Sequence, residues 1–579
     1  MTRPVRERRW AGAGALLAGC LLSGCLSLPE VGPVVEAGTA DEDVDLSPMY
    51  IDPLPPRTGD SPAQVVKGFL DAMLATPQQT TVAREFLSSR SRDSWNPQQT
   101  ITFAAADPPS GNSQVAVDVT DAHLIDARGA WQGDLGDRTF EFGMVREAGE
   151  YRIATPPDAL IVPERWYEPR FRQVSLYFFD PTGTILVPEP AFVPVGEQLA
   201  STLVRGLIEG PPGVGGGLAT SFFPPGLTAG LSVPVSSDGV ADIALSGGTG
   251  PVTREQAELL LAQLTSTLRQ DPAIGSVRLS IDGLPVGLPG SATEVGLDRG
   301  ESFAPYVASS SRPLYGLRDG VLVSGNPGTQ QPVSGPFGTT MLGVRSIAPD
   351  LVATTAAGIS GDGTAVLLGP VRNDGPVTQV VSGATDLLVP TWDFSGRLWL
   401  VDRTAEGARI LSRQGEVSRE VVVPGISGGD VRRVLVSRDG SRLVAVVRAG
   451  GSDTVVVSRV LHDEAGRVIA VTPAIRIDDE ADVGVRIRDL AWRTPTSLAL
   501  LTSVTDDLQR VRGLNVDGAP GGLGGLLTTV KGDLRSLVGS PAPGQSLYAE
   551  GPGILVPLTV RTDGPLPLNP AVADVFYAG

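Results

Sequence analysis

The sequence predicts a multidomain chain in which two α+β domains precede an all-β propeller. Apolar residues at helical and strand spacing alternate over residues 61–310, whereas residues 311–579 contain β-rich units that recur every 43 to 56 residues. Repeats of that length are typical of propeller blades. The 579 residues, 41% of them hydrophobic, supply enough apolar material for about three domains.

The chain begins with a predicted secretory signal that ends in a lipid-attachment cysteine. Basic residues precede an apolar run from Trp10 to Leu22, which is shorter than the ~20 residues that span a bilayer. Leu-Ser-Gly-Cys25 matches a bacterial lipoprotein signal, so cleavage of residues 1–24 would leave Cys25 as an S-diacylglycerol, N-acyl cysteine. A second match ends at Cys20. An ordinary secretory signal or a short membrane anchor is the remaining alternative.

Charge and cysteine content restrict the partners and the location. The formal charge is −18, and removal of residues 1–24, which hold four Arg and one Glu, takes it to −21. Nucleic acids and anionic lipid surfaces are therefore not expected partners. Cys20 and Cys25 are the only cysteines, so the mature chain forms no internal disulfide. We expect a body that is lipid-anchored at the outer face of the cytoplasmic membrane.

The segment after the anchor and the first domain differ in pattern. Residues 25–60 are predicted to be a Pro-rich, acidic spacer that holds the body away from the membrane. The first domain, residues 61–168, begins with a helix capped by Ser61 and Pro62, and a second helix follows at 81–90. Strands are predicted at 114–120, 139–146 and 150–155. This order suggests the cone-shaped α+β fold of nuclear-transport-factor-like domains.

The second domain, residues 169–310, has clear helix boundaries. Its first helix ends at Gly210, which is followed by proline. Thr253 and Gln256 form a capping box that opens the next helix. Residues 231–245 alternate around a Ser-Asp-Gly turn and predict a β-hairpin.

The third region, residues 311–579, is predicted to be the β-propeller. Five repeats are visible, and a segment at Leu314 supplies either a sixth blade or the closing strand. The repeats begin at Val344, Leu387, Val431, Ile487 and Leu534. Closing a ring of such sheets leaves only short, protected edges.

Four repeats carry an arginine at the second position of the starting strand. These residues are Arg345, Arg432, Arg488 and Arg535. If the strand lines the central channel, the four side chains would form a positive ring that contacts an anionic group or a partner. The alternative is that each arginine pairs with a local carboxylate.

The second domain resembles the GerMN domains of spore-germination and sporulation proteins. The resemblance rests on an ordered series of short motifs: LYFFD, LIEGPP, FFPPG, SDGVADIAL, QLTSTLRQDP and VRLSIDG. It implies a binding or scaffolding module of the cell envelope, without catalytic residues to transfer.

The full order of parts resembles the actinobacterial lipoprotein LpqB family. The mature start, Cys-Leu-Ser-Leu-Pro from Cys25, is part of that resemblance, whereas the additional signal at Cys20 departs from it. The resemblance implies an accessory of the MtrAB two-component system, whose partner is the outer domain of the sensor kinase MtrB. It further implies an influence on cell-wall homeostasis and division.

The residues themselves favour a binding protein over an enzyme. His123 and His462 are the only histidines; they fall in different domains and are both predicted on surface turns. General-base and metal chemistry usually needs such side chains in clusters. We therefore predict no catalytic residue, no metal and no cofactor. The alternative function is a lipoprotein that binds or cleaves cell-wall glycan, which exposed aromatic clusters would favour; Trp392 and Trp399 are expected in the core instead.

Overall fold

The computed structural model describes most of the chain beyond the predicted spacer. The described residues are 32–34, 51–76, 78–196, 198–212, 218–230, 232–248, 252–287, 293–306, 313–478, 485–520, 527–559 and 564–579. The predicted signal peptide, with Cys20 and Cys25, lies outside them. Within the described part, two α+β domains precede an all-β propeller, which confirms the predicted fold class.

The first domain packs short helices against a seven-stranded, largely antiparallel sheet. The helices are Pro62–Ala72, Thr81–Glu85, Ser89–Ser94 and Glu164–Tyr167. The strands are Gln99–Phe103, Ala105–Ala106, Ser110–Gly111, Gln114–Ile125, Trp131–Glu147, Glu150–Thr155 and Ala159–Pro163. Phe69 contacts Trp95 and Phe142 at the centre of the core, with ring centroids 5.2 and 6.1 Å apart.

Two predicted features of this region are corrected. The helix predicted at 81–90 is two short helices, because the Ser88 hydroxyl accepts a hydrogen bond from Ser91 N and starts a new helix. The predicted spacer does not reach residue 60, since Ile51 forms a β-bridge with Thr76 and packs against the domain core. The predicted cap at Ser61 is confirmed as a full capping box.

The second domain combines a long hairpin with a small mixed sheet and two helices. The helices are Leu199–Glu209 and Arg254–Leu268, followed by a 3-10 helix at Leu297–Phe303. The hairpin consists of Phe171–Phe179 and Leu186–Pro194. The mixed sheet consists of Leu227–Ala229, Val240–Gly247, Ser276–Ile281, Leu284–Val286 and Glu294–Gly296.

Helix boundaries in this domain are as predicted, but one strand pairing is not. The capping box of Thr253 and Gln256 is present, and Gly210 ends the first helix with a φ of 84°. The predicted hairpin at 231–245 is reduced to a single bridge between Val235 and Ala241. Val240–Gly247 pairs instead in parallel with the strand that follows the second helix, because a helical crossover joins them.

The propeller contains six blades, each a sheet of at least four strands. Blade 1 contains Leu314–Arg318, Val321–Gly325, Gln331–Pro332 and Val572–Tyr577. Blade 2 contains Val344–Pro349, Thr355–Ser360, Val366–Pro370 and Thr378–Val381. Blade 3 contains Thr391–Trp392, Leu398–Thr404, Gly407–Gln414 and Val417–Glu420. Blade 4 contains Asp430–Val436, Arg442–Ala449, Ser452–His462, Val468–Val471 and Ile475–Arg476. Blade 5 contains Ile487–Thr494, Ser497–Ser503, Leu508–Asn515 and Leu527–Lys531. Blade 6 contains Ser536–Val538, Tyr548–Gly551, Ile554–Pro557 and Leu566–Pro567. A one-turn helix, Pro336–Thr339, joins blades 1 and 2.

Part of the predicted spacer lies on the propeller. Gly32–Val34 pairs antiparallel with Leu527–Lys531 and adds a fifth strand at the outer edge of blade 5. This pairing covers backbone groups that would otherwise form an open sheet edge.

A buried ion pair joins the second domain to the propeller. Glu189, on the long hairpin, is 4% exposed and accepts hydrogen bonds from Arg442, at 2.8 Å, and from both terminal nitrogens of Arg459. Burial alone would raise the pKa of Glu189, but Arg442 and Arg459 outweigh it and lower the pKa. The carboxylate therefore stays charged inside the interface.

The first two domains are joined by a close backbone approach. Gly129 O accepts a hydrogen bond from Phe192 N at 2.7 Å, and a Cβ at Gly129 would lie 2.3 Å from Phe192 O. Gly129 also has a φ of +84°, so only glycine fits there without strain. Ala519 of the propeller packs against the core of the first domain, so all three domains are in contact.

We expect the C-terminal strand to be required for ring closure. Val572–Tyr577 pairs with Leu314–Arg318 and completes blade 1 with the other end of the chain. Deletion of residues 572–579 removes the buried Val575 and Tyr577 and exposes the side chains they cover, such as Leu314 and Val323, at a cost of about 5 kcal/mol. The midpoint of thermal unfolding, measured by circular dichroism, should fall by ~10 °C or more. Deletion of Gly579 alone is the control; equal midpoints for the two deletions would contradict closure by this strand.

Candidate binding surfaces

One end of the propeller channel opens into a cavity of about 480 Å³, which we call the open mouth. The innermost strands of all six blades contribute to its lining, and every lining residue lies between 345 and 579. The four arginines singled out in the sequence all line this cavity. They are Arg345, Arg432, Arg488 and Arg535.

Two of these arginines link neighbouring blades. Arg345 donates to Asp386, at 2.5 Å, and to the carbonyl of Leu387, where the chain enters blade 3. Arg488 repeats the arrangement with Asp533 and the carbonyl of Leu534 before blade 6. Hydrogen bonds from these arginines lower the pKa of Asp386 and of Asp533. We infer that both side chains hold adjacent blades in register.

The other two pair with an aspartate two residues earlier in the chain. Arg432 lies 2.7 Å from Asp430, and Arg535 lies 3.4 Å from Asp533. Each of the four arginines lines the cavity and also has a carboxylate partner, which is the alternative considered for them. The carboxylates offset the charge of the arginines, so the four side chains do not form a uniformly positive ring.

Deeper in the open mouth, two carboxylates share one arginine. Arg433 lies 3.2 Å from Asp489, and burial raises the pKa of nearby Asp574 even though Arg433 acts in the opposite direction. These groups give the cavity both donors and acceptors.

The second domain packs against the propeller at the other ends of the innermost strands, on blades 4 to 6. Tyr177 and Tyr306 of that domain face Arg438 and Trp492 across a space of only about 20 Å³. Arg438 is 5% exposed and donates to Ala578 O at 2.7 Å, inside the channel. Burial lowers the pKa of Arg438 to about 10, so the guanidinium remains charged at neutral pH. The second domain therefore occupies propeller surface on the side away from the open mouth.

A second cavity, of about 720 Å³, lies where the three domains meet, and we call it the junction cavity. Trp131, Phe178 and Ile475 contribute apolar surface from the first domain, the second domain and the propeller in turn. Asp517 also lines it, and its Oδ2 is buried without a hydrogen-bond partner. Burial raises the pKa of Asp517 to about 6.

The histidines are not on surface turns as predicted. His123 and His462 are 8% and 7% exposed, and both belong to strands. His462 Nε2 lies 3.1 Å from Arg397, and burial together with Arg397 lowers the pKa of His462. This histidine is therefore a neutral side chain that supports the packing between blades 3 and 4.

Tryptophan side chains are mostly core, as predicted for Trp392 and Trp399. Among the described tryptophans only Trp131 is partly exposed, and the other five are at most 7% exposed. The described residues thus lack the exposed tryptophan surface that sugar rings stack on.

Three family models match successive parts of the chain. The LpqB N-terminal domain matches residues 55–168, the sporulation and spore-germination domain called Germane matches 175–287, and the LpqB β-propeller domain matches 320–539. Curated relatives match over most of the length. A protein of Cutibacterium acnes is 27% identical over 87% of both chains, one of Thermobifida fusca is 28% identical over 84% of this chain and 85% of its own, and one of Mycobacterium bovis is 25% identical over 94% and 96%.

Solved structures match single regions. The first GerMN domain of the sporulation protein GerM from Bacillus subtilis is 23% identical over 21% of this chain and 96% of its own, with a TM-score of 0.18. TolB from Acinetobacter baumannii is 13% identical over 54% of this chain and 85% of its own, with a TM-score of 0.31.

The fold and the matches together define a lipoprotein with GerMN and β-propeller domains. All three curated relatives are named lipoprotein LpqB. The chain belongs to the actinobacterial lipoprotein LpqB family. No helix in the described part of the chain has the length and apolar character that crossing a bilayer requires.

We expect Asp517 to make stability depend on pH. Its folded pKa, about 6, exceeds the ordinary 3.8, so the folded state binds the proton more tightly and loses stability as the pH rises from about 4 to about 6. Asp517→Asn removes this loss. It should raise the free energy of unfolding by about 1 to 2 kcal/mol at pH 7.5 and change it little at pH 4.

Denaturant unfolding at the two pH values measures the effect. Asp506→Asn, which changes an exposed carboxylate in the same blade, is the matched control and should be neutral at both. A stabilisation by Asp517→Asn of equal size at pH 4 and pH 7.5 would contradict the assignment.

Proposed function

We propose that the chain is a lipid-anchored accessory protein, and not an enzyme, which binds the outer domain of the sensor kinase MtrB through the open mouth of its propeller. Family membership supports the link to the MtrAB system. Through that system the protein would influence cell-wall homeostasis and division. The observation that carries the choice of surface is that the second domain, with Tyr177 and Tyr306, already covers propeller surface on the opposite side. One broad, concave propeller face remains for a partner.

The chemistry of the open mouth suits a protein partner. Arginines line it together with Asp489 and Asp574, while Ile347, Leu435 and Leu537 add apolar side chains. Interfaces between proteins combine an apolar centre with charged groups at the rim. Arg432 and Arg535 pair only with carboxylates of the propeller, so they can exchange them for carboxylates of a partner without loss of charge compensation.

Anchoring would place the propeller near the membrane. We propose that Cys25 carries the lipid at the outer face of the cytoplasmic membrane. Six residues then lie between it and Gly32 at the edge of blade 5, a distance of at most about 25 Å. A kinase domain that emerges from the same membrane lies within that range.

Glycan binding, the alternative considered from the sequence, has less support. Sugar rings stack on exposed aromatic faces, and five of the six described tryptophans are buried. A cell-wall polymer is retained only as the ligand to try if the kinase domain fails to bind.

Calorimetric titration of residues 26–579 with the outer domain of the MtrB-like kinase from the same organism tests the proposal. We expect saturable binding at micromolar affinity or better, weaker at higher salt because charged groups meet at the rim. Arg432→Glu and Arg535→Glu should each weaken binding by about tenfold, since each introduces repulsion at the rim. These two arginines are chosen because Arg345 and Arg488 also hold neighbouring blades together.

Arg409→Glu is the matched control. Arg409 is an exposed arginine that pairs with Glu420 on the outer strands of blade 3, away from the open mouth. Equal weakening by all three variants would place the contact elsewhere, and no binding heat for the unmodified chain would refute the kinase link itself.

A further inference from the structure

Three side chains of metal-ligating type meet in the first domain, in a group the sequence did not single out. They are Asp121, His123 and Asp134. One ligand atom from each lies within 4.8 Å of the other two. His123 Nε2 is 3.5 Å from Asp121, and His123 Nδ1 is 3.8 Å from Asp134.

The strand pairing brings these residues together. His123 lies directly opposite Asp134 where Gln114–Ile125 pairs with Trp131–Glu147. The register shifts on both sides of Ala122, and Asp121 has a φ of +53°, so a bulge places Asp121 beside the same histidine. Bulges of this kind redirect side chains at the edges of functional sites.

The histidine supplies an independent reason to expect a ligand. Its side chain is nine-tenths buried, its Nδ1 has no hydrogen-bond partner, and that atom faces Asp134. A buried polar atom without a partner costs free energy unless something satisfies it. The carboxylates of Asp121 and Asp134 are 59% and 65% exposed, and Asp134 Oδ1 also accepts a hydrogen bond from Gly136 N, which holds it in place.

We propose that Asp121, His123 and Asp134 bind a divalent transition-metal ion, with Zn²⁺ the best match. One imidazole nitrogen and two carboxylate oxygens form a ligand set that zinc accepts. Ligands held about 2.1 Å from one ion lie about 3 to 4 Å from one another, so the cluster needs to contract by about 1 Å. Rotation of the exposed carboxylate of Asp121 toward Nδ1 provides this contraction.

The ion would lie beside the junction cavity. Asp134 lines that cavity, and so does Trp131, whose ring is 4.8 Å from the His123 ring. Metal binding would therefore order the edge of the cavity where the first domain meets the propeller. This role is separate from the open mouth and does not depend on the proposed kinase contact.

Titration of residues 26–579 with zinc chloride, in buffer with excess Mg²⁺ to occupy non-specific carboxylates, tests the site. We expect one Zn²⁺ per chain by calorimetry and a change in the fluorescence of Trp131, identified by its absence in Trp131→Phe. Asp121→Asn and Asp134→Asn should each weaken binding by about tenfold or more. Both keep the fold, because the two carboxylates are exposed and asparagine tolerates the positive φ of residue 121.

Asp118→Asn is the matched control, since it removes an exposed carboxylate from the same hairpin. It should bind zinc as the unmodified chain does. The proposal is overturned if the unmodified chain binds no zinc in Mg²⁺ buffer, or if Asp121→Asn and Asp134→Asn bind it with unchanged affinity. His123 would then be a buried side chain between two carboxylates that binds no metal ion.

Discussion

Two arginines lie directly opposite each other on neighbouring strands of blade 4, and the assembly depends on how their charge is compensated. Arg442 and Arg459 are cross-strand partners, and like charges in that position repel. Arg442 is also 1% exposed, so water cannot stabilise it. Glu189 of the second domain provides the carboxylate that both need. A propeller without that domain would expose an uncompensated pair, which is a physical reason for the two to be joined.

This contact also determines which surfaces remain for partners. With Glu189 seated on blade 4, the second domain packs against one side of the propeller, where Tyr177 and Tyr306 lie next to Arg438. The junction cavity forms beside the same ion pair, because Glu189, Arg442 and Arg459 all line it. The open mouth lies at the opposite end. Arg345 and Arg488 line the open mouth and also hold neighbouring blades in register. A partner that binds there therefore contacts side chains that also stabilise the ring.

Local features of this chain could be predicted from its sequence, and pairings between distant segments could not. The caps at Ser61 and Thr253 follow from residue type and spacing alone. Repeat spacing likewise indicates the propeller, because five β-rich units recur every 43 to 56 residues. Glu189 sits in a Pro-Glu-Pro segment that carries no sign of partners more than 250 residues away. His123 and Asp134 meet as partners on neighbouring strands, and only a bulge adds Asp121 to them.

Differential scanning calorimetry of Glu189→Ala tests the central claim, that a buried charge makes the second domain and the propeller one cooperative unit. Loss of one partner of a buried ion pair costs about 3 to 5 kcal/mol. The account predicts one unfolding transition for the unmodified chain and two separate ones for the variant. Glu294→Ala, which removes an exposed pairing with Arg278 in the same domain, should leave the single transition unchanged. A single, unshifted transition for Glu189→Ala would contradict the account.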